Sequence, residues 1–325
     1  MNRTEAASYY DNTMLSSYKE CPRKFFFRHI QHLVGVGLAH ELLFGLAWHD
    51  AMNVVWALAN SGLTDAQLER AAIQEFVRSW KEYGAPYPLE MELESVFEPR
   101  TPAIAAEMII SYVEERRAWI AEGELIAVEQ PFVVELGIEP QYIGRLDKVF
   151  RPKGKRIRAI EHKSTAWYRK EGGFRVDWID QWDLNSQIDG YMHSGNMLYG
   201  DEFEGVTIDG ALIHKTVRKF KLLPIHKQFA LVDQWLWEAQ DWISRIETEK
   251  ESLLIEEALE QPNYMGFPKN TGSCFTFGRR CPYFDICRFR ADPVHDTGVP
   301  DGFKIEKWEP FEILKIGQIV EKADA

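Results

Sequence analysis

The chain has 325 residues, 45% of them hydrophobic and 13% aromatic with 11 tryptophans, which is enough apolar material for a sizeable core and excludes a largely disordered protein. Its formal net charge of −12 excludes a general nucleic-acid coat protein. There is no run of about 18 apolar residues and Met1 to Asn12 is polar, so neither a transmembrane helix nor a signal peptide is expected; four cysteines without an export signal suit a reducing cytoplasm.

In chain order, the first third reads as helical. Met14 to Leu33 carries Tyr18, Phe25 and Phe26 at roughly helical spacing, with Pro22 at a turn or helix start. Further helices are predicted over 41–59, over Thr64 to Tyr83, where Thr64-Asp65-Ala66-Gln67 is a capping signal, and over Thr101 to Ala121. From Leu125 the pattern changes to strands over 125–136 and 140–150, rich in Val, Ile, Tyr and Phe. A turn at Arg151-Pro152-Lys153-Gly154-Lys155 leads into a strand from Arg156 to Ser164. A helix over 180–198, a strand from Val206 to Lys215 and a long helix from Ile225 to Leu259 follow, and Pro262 to Arg288 reads as loop. This order predicts an α/β core with a mainly helical part, 41–121, inside one domain spanning 1–325.

The four cysteines fall at the two ends: Cys21 alone, then Cys274, Cys281 and Cys287. One early and three late thiolates form a natural ligand set for an iron–sulfur cluster that would clip the ends together, with 262–290 as the binding region and Cys21 completing it. Zinc is the competing reading for four thiolates, but structural zinc sites usually use close Cys-x-x-Cys pairs, which this chain lacks.

Between the ends lies Gly144-Arg145-Leu146-Asp147, then Glu161-His162-Lys163 after the turn. Strand alternation projects Glu161 and Lys163 together and His162 oppositely, and the hairpin folds Asp147 toward Glu161. Two carboxylates at one point repel unless a cation lies between them, and hard ions such as Mg²⁺ or Mn²⁺ suit them. Lys163 would orient a water or stabilise charge on a phosphate. His49, on the apolar helix Phe44-Gly45-Leu46-Ala47-Trp48-His49, is either a buried core histidine or a third ligand favouring Mn²⁺. Gln187 and Tyr191 share a helix face and could hold a phosphate or a base, or simply pack. Seven basic residues between Arg145 and Arg158 flank this site and suggest phosphate attraction; a second run, Lys215, Arg218, Lys219 and Lys221, reads equally as a solvated face.

Together these motifs resemble the RecB-type branch of the PD-(D/E)XK nuclease superfamily that carries an iron–sulfur cluster, which includes the AddB nuclease domain and the CRISPR-adaptation nucleases. The resemblance covers nearly the whole chain: Ser17 to Phe25 around Cys21, Gly45 with His49, Gly144 with Asp147, Glu161 with Lys163, and Gln187 with Tyr191. The gap from Cys274 to Cys281 is longer than is common in that branch. The resemblance implies a restriction-endonuclease-like core, a mixed central sheet flanked by helices, with an iron–sulfur region joining the termini. It implies that His49, Asp147, Glu161 and the main-chain carbonyl of His162 bind Mg²⁺ or Mn²⁺, and that Lys163 positions or activates water. Gln187 and Tyr191 would contact DNA or support the site, as would Arg145, and Glu129 would be a further acidic position. The cysteines would hold a [4Fe-4S] cluster.

The expected activity is that of a DNA exonuclease acting on single strands or duplex ends. The alternatives are a DNA-end-binding iron–sulfur subunit of a helicase–nuclease complex with a vestigial site, and an iron–sulfur redox sensor. No Gly…Gly-Lys-Ser/Thr phosphate loop occurs, so a helicase or recombination protein would be a separate partner.

Overall fold

The computed structural model describes residues 9–36, 40–83, 97–138, 140–170, 173–259, 266–276, 279–290, 292, 295–296, 298–309 and 318–319. Residues 84–96 of the predicted helical part, and 262–265, 277 and 278 of the predicted iron–sulfur region, lie outside them.

In chain order the elements are β1 (Tyr9–Tyr10), α1 (Asn12–Glu20), α2 (Pro22–Phe25), β2 (Leu33–Gly35), α3 (His40–Leu58), α4 (Asp65–Glu82) and α5 (Pro102–Glu122). Then come β3 (Glu124–Val134), β4 (Gln141–Arg151), β5 (Ile157–Thr165), β6 (Tyr168–Arg169), β7 (Gly173–Phe174), α6 (Val176–Asp180), α7 (Ser186–Tyr199), β8 (Phe203–Leu212), β9 (Lys219–Ile225) and α8 (Phe229–Leu259). The last are β10 (Phe275–Thr276), β11 (Arg279–Arg280), α9 (Phe284–Phe289), β12 (Phe303–Ile305) and β13 (Gln318–Ile319). Among the described residues no helix is long and apolar enough to cross a membrane.

The chain divides into two compact units, one of Met1–Val36, Phe132–Gly144 and Asp233–Lys315, the other of Gly37–Pro131, Arg145–Val232 and Ile316–Ala325. The second unit carries the central sheet, in the order β13-β3-β4-β5-β8-β9. The β4–β5 and β8–β9 pairs are antiparallel and β5–β8 is parallel, so the sheet is mixed. A parallel pair needs a crossover, and α7 supplies it. Leu43, Phe44, Trp48, Trp56, Phe76, Trp80 and Tyr112 of α3, α4 and α5 form one buried cluster with Phe150, Ile160 and Ala211 of the sheet. The predicted capping box holds: Gln67 N–H donates to Thr64 Oγ1 at 3.3 Å and Thr64 N–H to Gln67 Oε1 at 2.9 Å.

Several boundaries differ from the sequence expectation, among them the helix expected from Ile225, which starts at Phe229 because Ile225 ends a strand. The N-terminal helix breaks at Cys21, whose backbone is extended (φ −164°, ψ 115°), and restarts with Pro22 in its first turn. The helix predicted over 180–198 starts at Ser186, because the Asn185 side chain caps the N–H groups of Gln187 and Ile188. The second basic run leads into β9, an edge strand whose lysines and Pro224 disguise its alternation.

In the first unit, β1 runs parallel to the first residues of β4, Tyr9 opposite Gln141, and β2 pairs with β12. Phe25 stacks on Phe267 with centroids 5.7 Å apart. The turn at Cys21 is tied to the late loop by Arg23 Nε donating to Phe267 O at 2.8 Å, and by Asn270 Nδ2 and Ser273 Oγ donating to Glu20 O at 2.8 and 2.7 Å. Gly144 is required sterically, since a Cβ there would lie 2.3 Å from Cζ of Phe132.

Candidate active site

The β4–β5 register sets Lys148 opposite Ile160 and Val149 opposite Ala159, so the next pair along is Asp147 with Glu161. Both carboxylates are buried. The N–H of His162 donates to Asp147 Oδ2 at 3.0 Å, and His49 on α3 places Nδ1 3.2 Å from the same oxygen. Two residues after Glu161, and therefore on its face of β5, Lys163 puts Nζ 2.5 Å from Glu161 Oε1. Lys163 also donates to Gln187 Oε1 at 3.2 Å, and Gln187 Nε2 donates to the Tyr191 hydroxyl at 2.8 Å. The structure thus brings His49, Asp147, Glu161, Lys163, Gln187 and Tyr191 together. The His49 and Lys163 side chains, 29% and 25% exposed, are where the site meets solvent.

The two carboxyls are driven apart in acidity. Burial pushes Asp147 up, but the His49 imidazole, its hydrogen bond and Lys148 outweigh burial and hold the carboxyl well below the usual range. Burial and the Asp147 charge push Glu161 up to about 7 against the pull of Lys163 and His49. For Lys163, burial opposes the charged form, yet Glu161 and Asp147 raise its pKa, so the ammonium stays charged.

The donor set fits a hard divalent cation. It offers two carboxylates and an imidazole, and Glu161 Oε2 is buried with no hydrogen-bond partner among the described residues. Asp147 is turned to His49 and the 162 N–H while Glu161 is turned to Lys163, and among the described residues no three His, Cys, Asp or Glu side chains are gathered into one metal-binding group.

Several nearby residues escaped the sequence reading. Trp182 lies under Lys163, with Nζ 5.8 Å from the ring centroid. Lys148 is wholly buried, its Nζ has no hydrogen-bond partner among the described residues, and burial lowers its pKa. Asp209 on β8 lies opposite His162 and accepts from the Tyr112 hydroxyl at 2.5 Å. A carboxylate in the apolar run Val206-Thr207-Ile208-Asp209-Gly210-Ala211-Leu212 is the one signal that could have found it.

Other expected positions are engaged differently. Arg145 pairs with Glu129 at 2.5 Å, and Glu129, with a left-handed φ of 54°, also accepts from Asn53 at 3.1 Å. Arg151 pairs with Glu124 and Glu202, Lys153 with Glu122 and Arg158 with Glu204, so acids compensate much of the first basic run. In the second run Lys215 pairs with Glu98 and Arg218 with Glu107. Gly45 has open space where a Cβ would stand, so packing does not explain its glycine.

The four cysteines are free thiols, each half-buried, in the first unit. Cys281 N–H donates to Cys274 O at 2.9 Å, and Asn270 N–H donates to Cys21 Sγ at 3.3 Å. Burial pushes the Cys287 thiol up to about 11, with Cys21 and Cys281 near enough to contribute.

Residues 12–288 match the PD-(D/E)XK nuclease superfamily. The chain belongs to that superfamily. Its mixed sheet and flanking helices accord with the superfamily's fold, and residues 12–288 include the whole of the site described above. No curated protein matches the sequence. Among solved structures, a Eubacterium rectale protein named “Putative exonuclease” is 13% identical with a TM-score of 0.40, covering 77% of this chain and 82% of its own. A protein designated SSO0001 is 14% identical with a TM-score of 0.26, covering 63% of this chain and 84% of its own. At these scores neither neighbour bears on the reaction.

Proposed function

We propose that this nuclease is a Mg²⁺- or Mn²⁺-dependent DNA exonuclease acting on single strands or duplex ends. The observation that carries the reading is the placement of His49 against Asp147 and of Lys163 against Glu161 on neighbouring strands, where His49, Lys163 and Lys148 offset two buried carboxylates. His49, Asp147, Glu161 and the carbonyl of His162 would hold the ion. When bound, it supplies Lewis-acid polarisation of the phosphate and lowers the pKa of the attacking water.

The protein's own residues do the rest. Lys163, fixed by Glu161, Gln187 and Trp182, presents a charged ammonium that orients the attacking water and stabilises charge on the phosphate. The 162 N–H and His49 hold Asp147 ionised in one orientation. Burial and the Asp147 charge raise the Glu161 pKa, so a proton would compete with the divalent ion at its carboxylate. Tyr191 fixes the Gln187 amide.

A [4Fe-4S] cluster on Cys21, Cys274, Cys281 and Cys287 belongs to the same proposal. It is supported by the hydrogen bonds that tie the Cys21 turn to the late loop and by the four cysteines lying in one unit, although among the described residues their side chains are not gathered into one group. The test of the reaction is digestion of 5′- and 3′-labelled single strands and duplexes with and without Mn²⁺. Stepwise shortening from an end supports the proposal. Tight binding without cleavage would replace it with a DNA-end-binding role.

A further inference from the structure

The imidazole of His162 is completely buried, and neither ring nitrogen has a hydrogen-bond partner among the described residues. An apolar side chain would fill the same space without that desolvation cost, so the imidazole calls for an explanation. Its surroundings supply one. His49 and Trp56, seven residues apart and so two turns along one face of α3, both pack edge-on against it, with centroids at 6.1 and 5.8 Å. Tyr112 of α5 closes a third side at 6.3 Å. Asp209 brings Oδ2 to 3.6 Å from Nδ1.

Asp209 is itself clamped. Trp56 Nε1 donates to the Tyr112 hydroxyl at 2.9 Å, and that hydroxyl donates to Asp209 Oδ2 at 2.5 Å. Arg116 Nε lies 3.7 Å from the other oxygen. This chain crosses from α3 through α5 to β8, and it ends beside the residue whose peptide N–H holds Asp147.

We propose that Asp209, clamped by Tyr112 and, through it, Trp56, is a positioning residue: its carboxylate, 3.6 Å from Nδ1 and not hydrogen-bonded to it, holds the His162 imidazole by electrostatic attraction, and through it the orientation of the 162 peptide and the seat of His49 against Asp147. Two donors, the 162 N–H on β5 and His49 on α3, meet at Asp147 Oδ2, and the His162 ring is the body that both the strand and the helix abut. A ring free to turn would let helix and strand shift independently and spread the donors. The inference rests on the proposed metal site but concerns what shapes it.

The test uses Asp209→Asn and Tyr112→Phe, both near-isosteric, in the full chain. Calorimetric titration with Mn²⁺ alone is expected to give a dissociation constant ten- to a hundredfold weaker in each, the range seen for partners behind metal ligands. With DNA, kcat at limiting Mn²⁺ should fall by the same factor, recover at saturating Mn²⁺, and leave KM for DNA unchanged. A general loss of packing would not be rescued by the ion. If Asp209→Asn does not fold, Tyr112→Phe, which keeps the ring, carries the test. Mn²⁺ affinity within twofold of wild type in the folded variants overturns the inference while leaving the nuclease reading intact. Weakened Mn²⁺ binding in a chain that never cleaves DNA supports the inference and sinks that reading. A wild-type chain that binds no Mn²⁺ overturns both.

Discussion

Lys163 Nζ lies 2.5 Å from Glu161 Oε1, and the two side chains leave β5 on the same face. Removing either half of this pair exposes a different function. Glu161→Ala is expected to abolish cleavage in both Mg²⁺ and Mn²⁺ while DNA binding persists or tightens, because negative charge near the phosphate is lost. A nuclease assay paired with a DNA-binding titration checks this, and wild-type digestion by Glu161→Ala would show that the site is elsewhere.

Lys163→Ala should slow turnover by roughly a hundred- to a thousandfold, the loss typical of one preorganised donor at developing charge. Because the ammonium is not itself a ligand, Mn²⁺ affinity should change far less than in Glu161→Ala. Gln187→Ala, which removes only a support of Lys163, should cost less in kcat than Lys163→Ala. Equal losses in the two would mean that Gln187 touches substrate.

What could be read from the sequence divides along physical lines. Asp147, Glu161 and Lys163 were legible because strand alternation and a Pro-Gly turn fix their faces and their meeting point with local information alone. The Gln187–Tyr191 hydrogen bond follows from helical spacing. Trp182 and Asp209 were not legible, since their relation to Lys163 and His162 depends on the β5–β8 register and on the α6–α7 connection, both set by tertiary packing. The ion pairs of the basic run were not legible for a similar reason: the acids that compensate it, Glu122, Glu124, Glu202 and Glu204, are distant in sequence.

The cysteine assignment makes a separate prediction. Anaerobically purified protein should be brown with stoichiometric iron and sulfide, and Cys21→Ala or Cys287→Ala should lose the colour and lower the melting temperature. Colourless protein with stoichiometric zinc would replace the cluster with a zinc site.

Acid sensitivity should trace in part to His29. Its ring is buried against Phe25, and neither nitrogen has a hydrogen-bond partner among the described residues. Burial, with Arg28, His32 and Lys24 adding, lowers its pKa from 6.5 to about 3. The unfolded chain therefore takes up a proton that the folded one refuses. His29 contributes stability above pH 6.5, and it is lost as pH falls from 6.5 toward 3, on the order of a few kcal/mol in the limit. Melting temperatures of wild type and His29→Phe between pH 7.5 and about 4 should diverge toward acid, with the variant less sensitive. Parallel curves would show that the imidazole titrates normally.

The last prediction concerns Gly144, which opens the Gly-x-x-Asp element yet touches no reacting group. A methyl there would meet Phe132 Cζ at 2.3 Å, with two further ring atoms at 2.9 and 3.0 Å. The ring is buried on β3 and cannot swing into solvent, so Gly144→Ala must displace β4 or the ring. Overpacking of this kind costs roughly 1–3 kcal/mol. Gly144→Ala should therefore unfold at lower denaturant, and Phe132→Leu in the same chain should restore part of the loss by vacating ring volume. Asp147 lies three residues further along β4, so a shift of that strand should also weaken Mn²⁺ binding in the single variant and less so in the double. If Gly144→Ala matches wild type in denaturant midpoint and Mn²⁺ affinity, the glycine is not there for Phe132.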